Sequence, residues 1–379
     1  MKTVCDRNQC AGCMACINIC PKNAITIEDS LSAYNAVIDE SKCINCGNCY
    51  SVCQEKNPPN LTHPILWKQG WSKNVEIRNN SSSGGLASAL EMDFVRNGGL
   101  VCSCVYQKGE FLFSLIENES DIKKFAGSKY VKSNPGTIYK IIKKKLKEGR
   151  KILFVGLPCQ VAAVKKFTNN ADNLYTIDLI CHGTPSPQIL EYFLKDFGLK
   201  LDCIQDIRFR VKMNFKLEHD HIRFTVPTVT DDYLMTFLNA TSYTENCYHC
   251  KYAKLDRVGD ITLGDSWGSK LDKKCQRQGV SLMLCQNDKG KELLEQTDIF
   301  LTDVDLHRAV EFNHQLKSPA IIPKEREVFF DAIRNGTKFK YAVLKCYPKR
   351  YIKNIVKSII YKVNPQRGKG CSKTKESQT

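Results

Sequence analysis

Between residues 72 and 300, short apolar runs alternate with amphipathic stretches of helical period. Residues 86–96 carry the helical spacing and are stopped by Gly98 and Gly99, so a helix is expected there. Residues 99–106 read as a buried strand and 138–146 as a basic amphipathic helix. Then come a strand at 151–155, a helix at 160–167, a strand at 174–180 and a helix at 188–197. Strands alternating with helices predict a partly parallel sheet. Residues 204–210 and 222–226 look like further, antiparallel strands. Nearer the start, 24–27 and 37–39 fit short strands, ahead of a polar linker with Pro58, Pro59 and Pro64. Near the far end Ile352, Ile355, Val356, Ile359 and Ile360 fall on one helical face, with Lys353, Lys357 and Lys362 off it. Pro348 would start or kink that helix. Two readings of it stand open: a helix lying on an anionic membrane surface, or one docked on the protein's own core.

Composition narrows the class. Of 379 residues, 42% are hydrophobic and 25% charged, near globular averages, which excludes wholesale disorder. No run of about 18 apolar residues exists to span a membrane. The opening MKTVCDRNQC lacks an apolar signal-peptide region, so the expectation is a cytoplasmic chain. Cytosolic thiols stay reduced, so 20 cysteines point to metal rather than disulfides. The formal charge is +16, but residues 338–379 hold ten Lys and two Arg against one Glu. Basicity is therefore mainly a tail property, and the Gly/Lys/Ser/Thr-rich end after Asn364 reads as disordered. No nucleic-acid-binding module accompanies these lysines.

Cys10, Cys13, Cys16 and Cys20 have the spacing C-x2-C-x2-C-x3-C, and Cys43, Cys46, Cys49 and Cys53 repeat it. This is the bacterial two-cluster ferredoxin pattern, in which the fourth cysteine of each run ligates the other cluster. Cys10, Cys13, Cys16 and Cys53 are thus expected on one [4Fe–4S] cluster, and Cys43, Cys46, Cys49 and Cys20 on a second. A zinc site needs four ligands and not eight in tandem. Ile17, Ile19, Ile44 and Val52 are expected to shield the clusters, and Cys5 falls outside the pattern.

A second set is less explicit. Cys159 and Cys181 each follow the carboxyl end of a predicted strand, and a right-handed crossover would bring them to one sheet edge. Cys247 and Cys250 form a C-x2-C pair in a loop-like stretch. The four together would hold a third [4Fe–4S] cluster. The alternative is a core Cys181, with zinc on the C-x2-C pair and His249 or His182.

Clusters pass one electron at a time and most metabolic substrates exchange two, so a flavin would fit this layout. No G-x-G-x-x-G fingerprint follows a strand, and no Walker A motif occurs. Ser81-Ser82-Ser83-Gly84-Gly85 instead precedes the predicted helix 86–96, where free N–H groups favour phosphate. Arg78 lies just upstream and suits phosphate pairing. Plain helix capping is the alternative.

Six segments in order resemble the coenzyme F420 hydrogenase/dehydrogenase beta subunit family: SSSGG at 81–85, GSKYVKS at 127–133, GLPCQ at 156–160, CHGTPSP at 181–187, CYHCKYA at 247–253 and GDITLGDSWG at 259–268. The resemblance implies an α/β (α+β overall) protein: a two-[4Fe–4S] ferredoxin domain at 1–58 fused to a mixed α/β flavin-binding domain. That second domain would comprise 72–150 and 151–320, the latter with the third cluster, followed by a basic tail at 336–379. It implies FAD, with contacts from Arg78, Ser82, Ser83, Gly84 and Gly85. Further contacts would come from Lys129, Tyr130 and Ser133, and from Gly156, Pro158 and Gln160 at the GLPCQ turn. His182 becomes a proton donor beside the flavin or a structural hydrogen-bonding group. Asp260, Asp265 and Trp267 read as structural corners.

The implied activity is an oxidoreductase. A ferredoxin or other redox partner exchanges electrons with the clusters, and flavin exchanges hydride with coenzyme F420 or another organic acceptor or donor. The ferredoxin-fused layout further implies cell-surface polysaccharide chemistry, while the basic amphipathic tail carries the expectation of peripheral contact with the inner membrane face. The competing expectation is an electron-transfer subunit that feeds a separate catalytic partner.

Overall fold

The computed structural model describes residues 2–227 and 229–363. The basic end after residue 363, with Cys371, lies outside the described residues. The ferredoxin segment is a hairpin of β1 (Ile25–Asp29) and β2 (Tyr34–Ile38), paired antiparallel from Ile25↔Ile38 to Asp29↔Tyr34. Its two cysteine runs each open into a short helix, Ala15–Ile19 and Asn48–Ser51.

The remainder is built on one sheet. Its strands are β3 (Leu66–Ser72), β4 (Leu100–Gln107), β5 (Glu110–Ile116), β6 (Ile152–Gly156) and β7 (Leu174–Leu179). The insert β8 (Ile207–Val211), β9 (Asn214–His219) and β10 (Ile222–Arg223) forms a separate antiparallel sheet. The chain then returns to the main sheet with β11 (Ile261–Asp265), β12 (Ser281–Cys285) and β13 (Ile299–Thr302). The main order is β13-β3-β12-β11-β7-β6-β4-β5. The central four, β4, β6, β7 and β11, are parallel, and antiparallel wings close both sides.

Sequence explains this layering. β6 and β7 are buried along almost their whole length because helices cover both faces, β7 with the polar Thr176 and Asp178 among its buried residues, whereas β13 at the edge stays partly exposed. The helix Pro158–Thr168 crosses from β6 to β7 and starts with proline at its first turn, where no N–H is needed. It packs with the helix Ile138–Lys147 through Tyr139, Ile142 and Phe167. The ferredoxin segment docks on this pair: Cys13, Ala15 and Val52 share their apolar cluster, and Asn18 Nδ2 donates to the Gly136 carbonyl at 2.6 Å.

Predicted and observed elements agree over 86–96, 99–106, 138–146, 151–155, 160–167, 174–180 and 188–197, within a residue or two at each end. The stretch at 222–226 shrinks to the two residues of β10, and β3, β5, β9, β11, β12 and β13 were not anticipated. The tail also differs from expectation. The helix Phe339–Cys346 is core, with Phe339, Ala342 and Val343 buried against Phe193 and Phe329. Only the helix Pro348–Val363 stands out, with no buried residue. No helix among the described residues is long and apolar enough to cross a membrane.

Candidate functional site

Cys10, Cys13, Cys16 and Cys53 are all buried and close enough that each thiol opposes ionisation of another. Cys20, Cys43, Cys46 and Cys49 line a separate cavity of about 270 Å³ with Ile25 and Ile38. The structure thus brings the eight cysteines together in the two sets that the crossed spacing predicts. Backbone N–H groups point at the sulfurs: Gly12 N to Cys10 Sγ at 3.4 Å, Ala24 N to Cys20 Sγ at 3.3 Å and Asn45 N to Cys43 Sγ at 3.4 Å. Such donors stabilise thiolate charge and tune a cluster's potential.

Ile44 lines its cavity but is 57% exposed, and the buried Ile25 and Ile38 of the hairpin line the same cavity. Cys5, outside the spacing pattern, is also buried and lies in the same apolar cluster as Cys10 and Cys53; their interaction pushes the Cys5 thiol up and holds Cys53 down to about 6.

Parallel pairing of β6 and β7, with Gly156 opposite Asp178, puts Cys159 and Cys181 at the same sheet edge. Cys247 and Cys250 approach from the turn Glu245–His249. All four cysteines line one cavity with Ala11, Gln54 and Glu55 of the ferredoxin segment. Burial pushes the Cys159 and Cys181 thiols up, since their anions would lie in a dry site. Thr184 N donates to Cys247 Sγ at 3.4 Å. Among the described residues no three His, Cys, Asp or Glu side chains close on a single-ion site. His249 faces Glu245 at 3.6 Å instead.

A second cleft, with about 310 Å³ of free space, opens at the carboxyl edge of β6, β7 and β11. One wall is the 81–85 loop and the first turn of the helix Leu86–Arg96, which has no side-chain cap. The opposite wall is aromatic: Tyr130 stacks on Phe237 at 4.4 Å, and Phe215 stacks on Trp267 at 6.4 Å. Arg210 lies over Phe215 and Trp267 and grips Asp265 with bonds of 2.5 and 2.8 Å. His182 borders both this cleft and the cysteine cavity. Gln315 Nε2 donates to His182 Nδ1 at 2.9 Å, which leaves the ring proton on Nε2. Burial lowers the pKa of this histidine, so the neutral ring is favoured.

The residues expected at a flavin divide. Ser82, Ser83, Gly85 and Tyr130 line the cleft. Arg78 does not: its guanidinium donates to the Cys275 and Gly279 carbonyls and covers the Trp71 ring. Gly84 is buried, because a Cβ there would lie 2.4 Å from the Gly70 oxygen. Lys129 turns away to the Phe125 and Ala126 carbonyls. Gln160 accepts from Leu157 N and donates to Ser133 Oγ at 2.8 Å, so this pair braces the GLPCQ turn against 127–133. Gly156 ends β6, and Pro158 faces the cysteine cavity. Asp260 is structural, accepting from Thr176 N and Oγ1 at 2.7 Å.

Sequence reasoning missed Glu91, Arg210, Phe215, Phe237 and Lys212. The first four line the cleft, while Lys212 Nζ donates to the Ser83 carbonyl at 2.9 Å and steadies the serine loop. Glu91 had a visible signal, an acid within the apolar face of the helix Leu86–Arg96.

Comparison with known proteins agrees with four of the six segments, those at 156–160, 181–187, 247–253 and 259–268. Residues 149–300 match the family described as the C terminus of the coenzyme F420 hydrogenase/dehydrogenase beta subunit, and residues 9–57 match the 4Fe-4S dicluster domain. The F subunit of the F(420)H(2) dehydrogenase from Methanosarcina mazei is 22% identical over 280 residues, covering 69% of this chain and 78% of that protein. A chain of the F420-reducing [NiFe] hydrogenase complex from Methanosarcina barkeri is 20% identical, covering 68% of this chain and 92% of its own, with a TM-score of 0.48. The chain thus carries, at residues 149–300, a region matching the C terminus of the coenzyme F420 hydrogenase/dehydrogenase beta subunit, behind a 4Fe-4S dicluster domain at residues 9–57.

Proposed function

We propose that this iron–sulfur protein is an oxidoreductase in which three [4Fe–4S] sites lead to one flavin. The observation that carries this reading is the cavity shared by Cys159, Cys181, Cys247 and Cys250. Ferredoxin residues line one side of it, and His182 separates it from the sheet-edge cleft. Four thiols around a cavity, rather than around a point, suit a cubane better than a single zinc ion.

When bound, the clusters supply single-electron transfer and FAD supplies its conversion to hydride transfer. The residues of the cleft fit a dinucleotide of that kind. The uncapped helix start at Leu86–Ser88, with Ser82 and Ser83, offers N–H and hydroxyl groups to a diphosphate. Tyr130, Phe237 and Trp267 offer ring faces. His182 presents an Nε2–H donor between the two cavities and serves as a hydrogen-bonding or proton-holding group there. Cys20, Cys43, Cys46 and Cys49 form the outermost site, where Cys46 is exposed and a ferredoxin-type donor has access. The organic partner at the cleft is coenzyme F420 or an intermediate of cell-surface polysaccharide synthesis, as the family and the fused layout suggest.

The test is the double variant Cys247→Ala/Cys250→Ala in the full chain, prepared anaerobically. It should lose about four irons per chain and reduce bound flavin slowly. Unchanged iron content sinks the third site. The second reading is an electron-transfer subunit that feeds a separate catalytic partner. It is favoured by the Methanosarcina mazei relative, which is named as one subunit of a dehydrogenase. Purified protein with full iron and no flavin would select that reading.

The helix Pro348–Val363 supports peripheral membrane contact. Ile352, Ile355, Val356, Ile359 and Ile360 are each roughly half exposed on one stripe, and the helix carries no acidic residue.

A further inference from the structure

Lys132 is 5% exposed. Its ammonium meets only the Ala11 carbonyl, at 3.1 Å, and the Tyr34 ring, 5.2 Å from the centroid, among the described residues. The nearby Glu55 lines the same cavity but is ion-paired to Lys251 at 2.7 Å. Taking an ammonium out of water costs several kcal/mol unless negative charge compensates it. One carbonyl and one ring face fall short of that.

The missing negative charge has two sources, one on each side. Ala11 follows Cys10, and Lys132 lines the cavity of Cys159, Cys181, Cys247 and Cys250. Lys132 thus stands between the two cysteine groups, bonded to the residue after Cys10 on one side and lining the second cavity on the other. The side chain is held in place. Lys132 N donates to the Pro185 carbonyl at 2.9 Å, and the Gln160–Ser133 bond fixes the next residue. Its stem crosses Gly12, where a Cβ would lie 3.0 Å from Lys132 Cδ and 2.7 Å from the Tyr34 ring. Gly12 also has φ +68°, a conformation suited to glycine.

We propose that Lys132 is the shared counter-ion of two redox sites, one on Cys10, Cys13, Cys16 and Cys53, the other on Cys159, Cys181, Cys247 and Cys250. It is a positioning residue whose fixed charge raises both reduction potentials relative to the outer site on Cys20, Cys43, Cys46 and Cys49. The proposal rests on the three-site reading above. One-electron reduction by a ferredoxin-type donor adds one negative charge to a four-thiolate cubane and breaks no bond. A buried cation beside the site favours that reduced state. Electrons that arrive at the outer site are thereby drawn inward.

The test is anaerobic potentiometric titration with EPR detection of the full chain, in wild type, Lys132→Gln and Lys132→Arg, with iron counted in each. Lys132→Gln should keep about twelve irons and move two of three midpoints to more negative values. The shift should correspond to about a tenfold change in the one-electron equilibrium, about 59 mV. The third midpoint should stay, and Lys132→Arg should return the two toward wild type. Intact iron with no midpoint moved, or with all three moved alike, overturns the proposal. If Lys132→Gln loses iron, Lys132→Arg decides: retained iron with wild-type midpoints supports a requirement for charge, and iron loss there too overturns it. Eight irons in the wild type would overturn the third site itself, and that outcome is read from iron content alone.

Discussion

Glu91 sits on the cleft-facing side of the helix Leu86–Arg96, 2% exposed. Burial pushes its carboxyl up to about 8, and Lys129 pulls weakly the other way. An unfolded glutamate loses its proton near about 4.3. Between those values the folded chain holds a proton that the unfolded chain has released. Stability therefore falls as pH rises from about 4 to about 8 and is flat above, by on the order of a few kcal/mol. Glu91→Gln removes that dependence. Its melting temperature relative to wild type should climb through this window and level off near pH 8; a constant difference across the window would refute the assignment. Arg210 illustrates the limit of reading single residues. In the sequence it is one basic position in an alternating strand. Its pairing with Asp265, 55 residues later, becomes visible only when the β8–β9 insert folds over the sheet edge.

Among the elements, the parallel strands had the clearest signal. β6 is apolar throughout, β7 carries apolar residues at Leu174, Tyr175, Ile177 and Leu179, and both are flanked by helices, so their pairing and the placement of Cys159 and Cys181 followed from the pattern. The antiparallel wing of β3 with β12 and β13 had no such signal, because these partners lie more than two hundred residues apart in the chain. The helix Glu325–Arg334 shows what long-range packing adds. Its buried Arg326 donates to the Ser32 carbonyl at 2.9 Å and to Glu245 at 3.0 Å, and also bonds the Tyr243 carbonyl. It thus ties the ferredoxin hairpin loop to the segment bearing Cys247. Arg326→Ala should cost about 3 kcal/mol, since it leaves buried acceptors and Glu245 without their partner. Chemical denaturation would measure this, and a loss under about 1 kcal/mol would mean that the clamp is redundant.

For the whole molecule, charge and exposure are divided unevenly. Three oxidised four-thiolate cubanes would each add about −2, bringing the formal +16 to roughly +10. Because residues 338–379 alone hold a net +11, the loaded body would be close to neutral and the far end strongly basic. The full chain should float with anionic liposomes, and less so as salt rises. A chain ending at Tyr347, which keeps the buried Phe339 and Val343, should not float. Equal flotation of the two would count against the membrane reading.

By itself the sequence determined the 4Fe-4S dicluster segment and which cysteines lie together in two sets, because contiguous spacing dictates which thiols can gather around one site. It also determined the central βαβ unit, because hydrophobic period and crossover handedness are local rules. Tertiary structure alone decided the cleft, the burial of Glu91, and the position of Lys132 between two cysteine groups. Those features arise where segments far apart in the chain exclude water together, and desolvation is a property of the assembled interior that no local stretch encodes.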